Sequence, residues 1–418
     1  MPHDSAQDPN DSALSWNPEN EINGKEVCFI HTADWQLGKP FASLRDDDKR
    51  AQLTHQRIQA IARLGQLVIQ EKAQFVLVAG DLFDTQTPKR NLVSLACKAI
   101  GDLKVPVYAI PGNHDFYGIE SIWEQDFFKQ EQQQLAPNFH LITTPTPIQV
   151  PGAWLFPAPL LRRQSSLDPT HWLRSFNPEN FIAENRPAEN VPWIIVAHGS
   201  IQGFESSADE EDIAATTSNL IELDRLPDCF DYIALGDWHG MKQVNHRTWY
   251  PGTHEPDRFP KNNEYHSGYS LLVRSRRKQS PKVEPIPTGA IRWHCLDFHF
   301  LDDDTLPKLE EKIQHCTSGR VGNDLLKLQL TGSLGLNASQ RLETLLQTWE
   351  SRFIRIKRSG QVLTTPTEQE LLSLTQRNDP LIARVAQKLN EIRTSNSDRA
   401  PHAAVALRKL FQLCQTHN

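Results

Sequence analysis

Five short polar segments carry the residue types that hold metal ions in proteins. They occupy residues 31–36 (HTADWQ), 80–84 (GDLFD), 112–115 (GNHD), 196–199 (VAHG) and 236–239 (GDWH). Oxygen and imidazole donors are the usual ligands of divalent metal ions. The segments therefore predict a metal centre, provided that the fold brings them to one place.

An apolar run of the kind that forms a buried strand precedes each segment. Helical patterns, with apolar residues at three- to five-residue steps, follow the first and second runs, so strand and helix alternate as in a layered α/β domain. In an open α/β sheet the residues that follow such strands converge at the carboxyl ends, where ligands collect. The runs are residues 27–30, 75–78, 105–110, 193–196 and 232–235.

Seven side chains in these segments are predicted metal ligands. Asp81 is the strongest candidate, because its two carboxylate oxygens could bridge two cations about 3.5–4 Å apart, as two-metal hydrolases require. Residues two apart in an extended segment point the same way, which pairs Asp34 with Gln36 and Asp237 with His239. The full set is Asp34, Gln36, Asp81, Asn113, His198, Asp237 and His239.

The chemistry predicted for such a centre is hydrolysis. Two ions that share Asp81 would lower the pKa of bound water toward ~7 and neutralise charge on phosphoryl oxygens. His114 is adjacent to Asn113 and points differently, so it suits transition-state stabilisation or protonation of a leaving oxygen. Asp115 is expected to orient His114 through a hydrogen bond. Neither a nucleophilic serine with a base nor a phosphate-binding glycine loop is evident in the sequence.

Composition places the chain among ordinary globular proteins. Of its 418 residues, 38% are hydrophobic and 23% are charged, and the net charge of −7 argues against polyanion binding over the whole surface. No apolar run approaches the ~20 residues that cross a bilayer. Six cysteines without paired spacing are typical of reduced thiols. We therefore expect a cytoplasmic protein without a membrane anchor.

Four regions are expected along the chain. Residues 1–24 are polar and acidic and are predicted to form a disordered leader. Residues 25–292 contain all five polar segments and form the first predicted domain, and a Pro-rich stretch near its end is expected to lead into the second. Residues 293–362 alternate strand and helix patterns, which predicts a small βαβαβ module. Residues 363–418 carry two amphipathic stripes, whose helices either pack on their own domain or dock into a partner groove.

The segments and their order resemble the calcineurin-like metallophosphoesterase superfamily. Three fuller strings narrow the resemblance to SbcD-type DNA-repair exonucleases: HTADWQLGK (31–39), AGDLFD (79–84) and YPGTHEP (250–256). The resemblance extends over residues 27–256 and implies a layered α/β fold, in which a β-sandwich is flanked by helices. The βαβαβ module would correspond to the capping domain of that family, and there the match is architectural.

The resemblance also implies an activity and its cofactors. Family members are DNA exonuclease or endonuclease subunits that use two manganese ions, pair with an SbcC-type coiled-coil ATPase through helices beyond the cap, and form homodimers. His114 would take the role of the family's catalytic histidine. By position, site one would consist of Asp34, Gln36, Asp81 and His239, and site two of Asp81, Asn113, His198 and Asp237.

Two positions depart from the family pattern. The family usually has histidine where Gln36 stands, and usually His-x-His where Asp237-Trp-His239 stands. An amide oxygen binds transition metals more weakly than imidazole does, so we expect a weak site one. Asp237 is a competent ligand, and its negative charge favours harder ions such as Mn²⁺ or Mg²⁺.

Three functions are compatible with the sequence. A DNA nuclease is favoured by the cap and the tail helices, which a phosphodiesterase or phosphatase acting on a nucleotide or small ester does not need. An attenuated subunit that tethers DNA ends is supported only by the two lost histidines, and restoring them would then raise nuclease activity greatly. Basic clusters at 162–163, 274–278 and 352–358 are candidate phosphate contacts, with ordinary surface charge as the alternative for each.

Overall fold

The computed structural model describes residues 26–201, 218–260, 265–320, 322–365, 367–376, 379–395 and 397–416, so the predicted leader lies outside the described residues. The chain divides into two compact units. The larger unit comprises the described residues up to Lys39, Arg57–His254 and Ser267–Thr288. The smaller unit comprises Pro40–Gln56, Glu255–His266 and the described residues from Gly289 onward.

Strands and helices alternate through most of the described chain. The strands are β1 (Val27–Thr32), β2 (Phe75–Ala79), β3 (Val107–Ile110), β4 (Phe139–Leu141), β5 (Ile148–Val150), β6 (Ala153–Ala158), β7 (Trp193–His198), β8 (Tyr232–Gly236), β9 (Lys242–Gln243), β10 (Thr248–Tyr250), β11 (Tyr269–Ser275), β12 (Lys282–Pro287), β13 (Arg292–Phe300), β14 (Asp324–Leu334), β15 (Arg355–Ser359) and β16 (Val362–Thr364). The α-helices are α1 (Asp47–Glu71), α2 (Arg90–Gly101), α3 (Asp126–Leu135), α4 (Pro178–Asn185), α5 (Leu306–Thr317), α6 (Leu336–Arg352), α7 (Glu368–Thr375), α8 (Pro380–Thr394) and α9 (Ala400–Thr416).

Two six-stranded sheets form the larger unit. Their strand orders are β12-β11-β1-β2-β3-β4 and β5-β6-β7-β8-β10-β9. Strands β1 to β4 run parallel to one another, and so do β6, β7 and β8. Because parallel strands end at the same edge of a sheet, the loops that follow β1, β2 and β3 are neighbours, as are those that follow β7 and β8.

The core of the larger unit fills the space between these two sheets. Phe29 and Phe75 of the first sheet belong to one buried cluster with Ile194 and Tyr232 of the second. Since side chains alternate along a strand, the next residues, such as Ile30, face the opposite way and pack with apolar residues of α1, α2 and α3. The outer face of the second sheet packs in the same manner against α4. Layers of this kind need strands that are apolar on both faces, as these are.

The Pro-rich stretch at the end of the first sheet forms a strand that was not predicted from the sequence. It precedes Gly289, where the smaller unit resumes, and it forms β12, which pairs with β11 at the edge of the first sheet. Proline removes a backbone N–H donor, and an edge strand tolerates this because one of its sides has no neighbouring strand to bond. Pro285 and Pro287 therefore fit an edge position, although prolines in a run favour a connection when read from sequence alone.

The smaller unit contains a parallel sheet in which β14 lies between β13 and β15 and also pairs with β16. Together with α5 and α6 these strands follow the predicted βαβαβ order. Leu309 of α5 and Trp349 of α6 are buried in one apolar cluster with Leu328 of the central strand. Each helix therefore covers the sheet with one apolar stripe, which accounts for the helical spacing in the sequence.

The three C-terminal helices join the smaller unit through apolar contacts and hydrogen bonds. Leu374, Leu407 and Phe411 form a buried cluster with Leu336 of α6. The Glu370 carboxylate accepts hydrogen bonds from the first backbone N–H groups of α6, at 3.0 and 2.7 Å, and from the N–H that precedes its own helix, at 2.9 Å. One carboxylate thus completes the amino termini of two helices. These helices pack on their own domain, which was one of the two expected arrangements.

The mixed α/β architecture with several sheets flanked by helices confirms the fold class predicted from the sequence. Among the described helices, none is both long enough and apolar enough to span a bilayer.

Truncation of Leu309 tests the packing of the smaller unit. Leu309 is fully buried, so Leu309→Ala should lower the free energy of unfolding by about 2–5 kcal/mol, because the cavity adds to the lost transfer energy. The change should appear as a lower urea midpoint in the circular dichroism transition of this unit. Leu301→Ala is the matched control, since the Leu301 side chain is 75% exposed. Equal midpoints for the two variants would contradict this packing.

Candidate metal centre

The predicted ligands lie where strands of the two sheets of the larger unit end. Asp34, Asp81 and Asn113 follow β1, β2 and β3 of the first sheet. His198 is the last residue of β7, and Asp237 follows β8 in the second sheet. The centre is therefore built from loops that two different sheets direct toward one region.

Backbone pairing continues past β1 and β2 and fixes the first two loops against each other. The Asp34 N–H donates to the Gly80 carbonyl at 3.1 Å, and the Gln36 N–H donates to the Asp81 carbonyl at 2.8 Å. Asp34, Gln36, Asp81 and Asp237 all have positive φ, at 51°, 38°, 55° and 102°. Such a conformation costs on the order of 1–3 kcal/mol per non-glycine residue and persists only where surrounding contacts enforce it. Here the residues under strain are the candidate ligands themselves.

Two glycines allow the ligands to approach one another closely. A Cβ atom on Gly112 would lie 2.1 Å from Asp81 Oδ1, and one on Gly80 would lie 2.2 Å from His198 Nδ1. Both distances are far shorter than any van der Waals contact. Glycine at these positions is therefore required for the observed placement of Asp81 and His198.

Asp34, Asp81 and His198 form the tightest group of candidate ligands. Each offers a ligand atom, and these atoms lie within 4.8 Å of one another. His198 Nε2 lies 3.6 Å from Asp81 Oδ1 and 3.8 Å from Asp237 Oδ1. Asp34, Asp81 and His198 are buried, so their charges are poorly screened by solvent.

The tautomer of His198 directs a lone pair into this group. Its Nδ1 lies 2.8 Å from the Ala79 carbonyl oxygen, which can only accept, so Nδ1 carries the hydrogen. Nε2 then faces Asn113 Oδ1 at 3.2 Å and the carboxylates of Asp81 and Asp237. A lone pair that faces oxygen acceptors is stabilised by a proton or a metal ion between them. A histidine that donates its other N–H to a backbone carbonyl is typical of metal ligands.

Gln36 and His239 lie on the other side of Asp81. Gln36 Nε2 is 3.1 Å from His239 Nε2 and 3.4 Å from Asp81 Oδ2, while His239 Nε2 is 4.0 Å from Asp34 Oδ1. The Gln36 oxygen accepts a hydrogen bond of 2.8 Å from Lys39 Nζ. The structure thus brings all seven predicted ligands together, but the amide presents its N–H groups, and not its oxygen, to the neighbouring ligands.

His114 lies beside the Asp81 carboxylate. Its backbone N–H donates to Asp81 Oδ1 at 2.9 Å, and its Nε2 lies 4.0 Å from Asp81 Oδ2. Its Nδ1 lies 3.0 Å from the Asp84 carbonyl oxygen, so the ring hydrogen resides on Nδ1 and the second nitrogen faces the centre. Burial alone would lower the pKa of His114, but Asp81 and the Asp84 carbonyl outweigh it and raise the pKa above its ordinary value.

Asp115 has a different role from the one expected. Its carboxylate accepts hydrogen bonds from the backbone N–H groups of Gly112, at 2.8 Å, and Phe83, at 3.0 Å. The ring nitrogen that it was expected to orient is bonded to the Asp84 carbonyl instead. Because Asp115 follows His114 directly, its side chain leaves the backbone in another direction and joins two ligand loops. Burial raises the pKa of Asp115 to about 7.

With this geometry established, comparison with known proteins identifies the family. Residues 29–241, just over half of the chain, match the model of the calcineurin-like phosphoesterase family. The chain belongs to this family. A calcineurin-like phosphoesterase hydrolyses phosphoesters with divalent metal ions, and the matched residues include the loops described above.

Solved structures with similarity to this calcineurin-like phosphoesterase have low sequence identity. One is a crystal structure of TT1561 of Thermus thermophilus, with 12% identity and a TM-score of 0.36 over 63% of this chain and 99% of that chain. Another is GAP50, described as the anchor in the inner membrane complex of Plasmodium, with 15% identity and a TM-score of 0.35 over 63% of this chain and 85% of that chain.

The donor set fits the divalent ions that the family uses. Burial raises the pKa of Asp34 to about 8, whereas the imidazoles of His198 and His114 outweigh burial and lower the pKa of Asp81. Burial alone would lower the pKa of His198, but Asp81, Asp34 and Asp237 raise it to about 9. Buried carboxylates that hold a histidine proton so strongly form a site that a cation stabilises. Asp34, Asp81 and His198, with Asn113 and Asp237, can therefore hold a divalent ion.

Arg57 is a supporting residue of the site that was not predicted from the sequence. It is fully buried in α1, and its guanidinium donates to the carbonyl oxygens of Asp34, at 3.0 Å, and Trp35, at 2.8 Å, and to Thr253 Oγ1 at 2.8 Å. Arg57 therefore fixes the backbone of the loop that carries Asp34. The sequence did contain an indication of this role. Arg57 stands four residues before Ile61 on the apolar stripe of the helix, where a charged side chain requires a buried partner.

Gly112→Ala tests the close packing around Asp81. The added methyl group must displace the Asp81 carboxylate, and misplacement of about 1 Å is expected to reduce phosphodiester hydrolysis roughly 100-fold. The rate would be measured with Mn²⁺ and a chromogenic phosphodiester. Gly118→Ala is the control, because its Cβ would meet Phe116 at an ordinary 3.4 Å. Activity of Gly112→Ala equal to that of the control would contradict the assigned role of Asp81.

Proposed function

We propose that this chain is a Mn²⁺-dependent phosphodiesterase that hydrolyses DNA, as the nuclease subunit of an SbcD-type DNA-repair complex. The observation that carries the proposal is the convergence of Asp34, Asp81 and His198, with His114 beside them, in loops whose sequences resemble that branch of the family. Membership of the family gives phosphoester hydrolysis, and the choice of DNA and manganese is the proposed part.

Two sets of residues would hold the ions. Site two would use His198 Nε2, the Asn113 oxygen and two carboxylates, and site one would use His239 with Asp34 and Asp81. Carboxylate, amide and imidazole ligands suit Mn²⁺, which accepts both oxygen and nitrogen donors. When bound, such ions supply Lewis-acid activation of water and of the phosphoryl group.

His114 would act on the phosphodiester from beside this centre. Since Nδ1–H donates to the Asp84 carbonyl, the ring exchanges its second proton at Nε2, the atom nearer Asp81. The raised pKa keeps more of the ring protonated near neutral pH than an isolated histidine would be. A protonated imidazole in this position can donate to a leaving oxygen or stabilise the negative charge of the transition state.

An exposed arginine pair supports a polyanionic substrate. Arg162 and Arg163 follow β6, which is parallel to β7, so they lie beyond the same edge of the sheet as His198. The loop that carries them is held by Asn219, which donates to the Arg163 carbonyl at 2.9 Å and accepts from the Ser165 N–H at 3.0 Å. A fixed loop with two exposed guanidinium groups near the ligand edge suits contacts with DNA phosphates.

The other basic clusters are largely engaged in structural contacts. Arg274 bonds Glu71 at 2.6 Å, and Arg277 bonds Asp231 at 3.0 Å. Arg358 pairs with Glu343 and Glu350. Neutralised guanidinium groups attract phosphate weakly, so the pair after β6 is the better candidate.

The proposal includes an SbcC-type coiled-coil ATPase as partner, and a homodimer in a cytoplasmic setting. The homodimer and the cytoplasmic setting are carried over from the resemblance and the composition. The partner is supported by the C-terminal helices, which have a buried core but also expose Leu381, Val385, Val405 and Leu413. Exposed apolar residues on amphipathic helices are suited to a partner's groove or coiled coil.

Hydrolysis of an end-labelled linear DNA duplex with Mn²⁺ tests the proposal. Asp81→Ala should abolish hydrolysis of both the duplex and a small chromogenic phosphodiester, because it removes the central carboxylate. Arg162→Ala/Arg163→Ala should raise KM for the duplex roughly tenfold and reduce the salt dependence of binding by about two phosphate contacts. The rate on the small phosphodiester should stay unchanged in this double variant.

Lys98→Ala/Lys104→Ala is the matched control, since both lysines are exposed and precede the amino end of β3, away from the ligand loops. It should behave as the wild type on both substrates. Cleavage of the small phosphodiester without cleavage of any duplex, and without an effect of the arginine pair, would favour the small-ester alternative. Activity that survives Asp81→Ala would contradict the metal centre itself.

A further inference from the structure

The orientation of the Gln36 amide distinguishes it from every other predicted ligand. Its oxygen, which is the only atom that could bind a metal ion, accepts a hydrogen bond of 2.8 Å from Lys39 Nζ. Its nitrogen lies 3.1 Å from His239 Nε2 and 3.4 Å from Asp81 Oδ2. An amide nitrogen only donates, so the lone pair with which His239 would bind an ion accepts a hydrogen bond from Gln36.

Charge fixes this orientation from both sides. The ammonium group of Lys39 can only donate, so it cannot bond the NH₂ end of the amide. The opposite orientation would also bring the amide oxygen against the Asp81 carboxylate and the His239 lone pair. Hydrogen bonds to charged groups are stronger than neutral ones, which makes the observed arrangement the stable one.

Backbone geometry keeps Lys39 in place. The Lys39 N–H donates to the Gln36 carbonyl at 3.2 Å, closing a turn, and the Gln36 N–H donates to the Asp81 carbonyl at 2.8 Å. The Gln36 side chain is buried. Lys39 and the Asp81 carboxylate are therefore held on opposite sides of the amide, whose oxygen faces the lysine.

We propose that Lys39 is a positioning residue that weakens site one by holding the Gln36 oxygen away from it. An ion that enters site one must displace the hydrogen bond between Gln36 and His239 and turn the amide against Lys39. No amide donates to His198 Nε2 in the described structure, because this atom faces the oxygen atoms of Asn113, Asp81 and Asp237. The centre thus binds its two ions with unequal affinity, and Lys39 sets the difference.

Isothermal titration calorimetry of the metal-stripped full chain with Mn²⁺ tests this inference. The wild type should show one tight and one weak binding step. Lys39→Gln removes the charge at similar side-chain length and should tighten the second step roughly tenfold or more, the equivalent of one hydrogen bond to a charged group. The first step should change little. Gln36→His should tighten the second step further, because imidazole replaces the amide oxygen.

Two variants serve as controls. Lys39→Arg keeps the positive charge and should retain the weak second step. If the side-chain shape at position 39 were responsible instead of its charge, this variant would not need to retain it. Lys98→Gln removes an exposed lysine elsewhere and should leave both steps unchanged. The electron paramagnetic resonance spectrum provides a second readout, because a pair of coupled Mn²⁺ ions should appear at lower metal concentration in Lys39→Gln than in the wild type.

Several outcomes would overturn the inference. Two steps of equal affinity in the wild type would show that the amide does not obstruct site one. A second step that Gln36→His tightens and Lys39→Gln leaves unchanged would assign the weakness to the amide alone. The inference rests on the metal centre of the proposed function but not on DNA as substrate. These binding steps are measured without any nucleic acid. They therefore test the role of Lys39 even if the protein does not cleave DNA.

Discussion

Negative charge confined inside the larger unit is the constraint on which the rest of the site depends. Asp34 and Asp81 are buried, and Asp237 approaches the same imidazole as they do. Repulsion among these carboxylates must be offset by nearby hydrogen-bond donors, by histidine protons or by metal ions. The two sheets, the positive-φ loops and the glycines bring the charges together in spite of that repulsion. A folded structure that holds carboxylates this close together is stabilised when a cation binds between them.

Supporting residues outside the ligand set make this arrangement possible. Arg57 bonds the backbone of the first ligand loop, and Asp115 bonds the backbone of the second and third. Both act on carbonyl or N–H groups, so they fix the directions of the ligands without occupying their donor atoms. The strained conformations of Asp34 and Asp81 are thereby maintained by groups that take no part in the chemistry.

Much of the fold and the identity of the site could be predicted from the sequence. Apolar runs such as the one before Asp81 indicate buried strands, and polar residues directly after parallel strands meet at one edge of the sheet. Orientation could not be predicted in the same way. The bond of the Gln36 oxygen to Lys39, and the bonds of Asp115 to backbone groups, depend on side-chain torsions that spacing does not determine. The edge strand β12 was missed because prolines exclude a central strand without excluding an edge.

Glu370 determines whether the tail, meaning α7, α8 and α9, can be separated from the rest of the smaller unit. Its carboxylate completes the amino terminus of α6 as well as that of its own helix, and Leu336 of α6 lies in the cluster formed by the last three helices. A chain shortened before residue 363 would lose this shared cap and uncover an apolar surface on the remaining domain. The tail is therefore not a removable appendage. A recombination or gene fusion that separates the chain at this boundary would therefore remove Glu370 together with the last three helices. The domain that contains α6 would need a replacement for both.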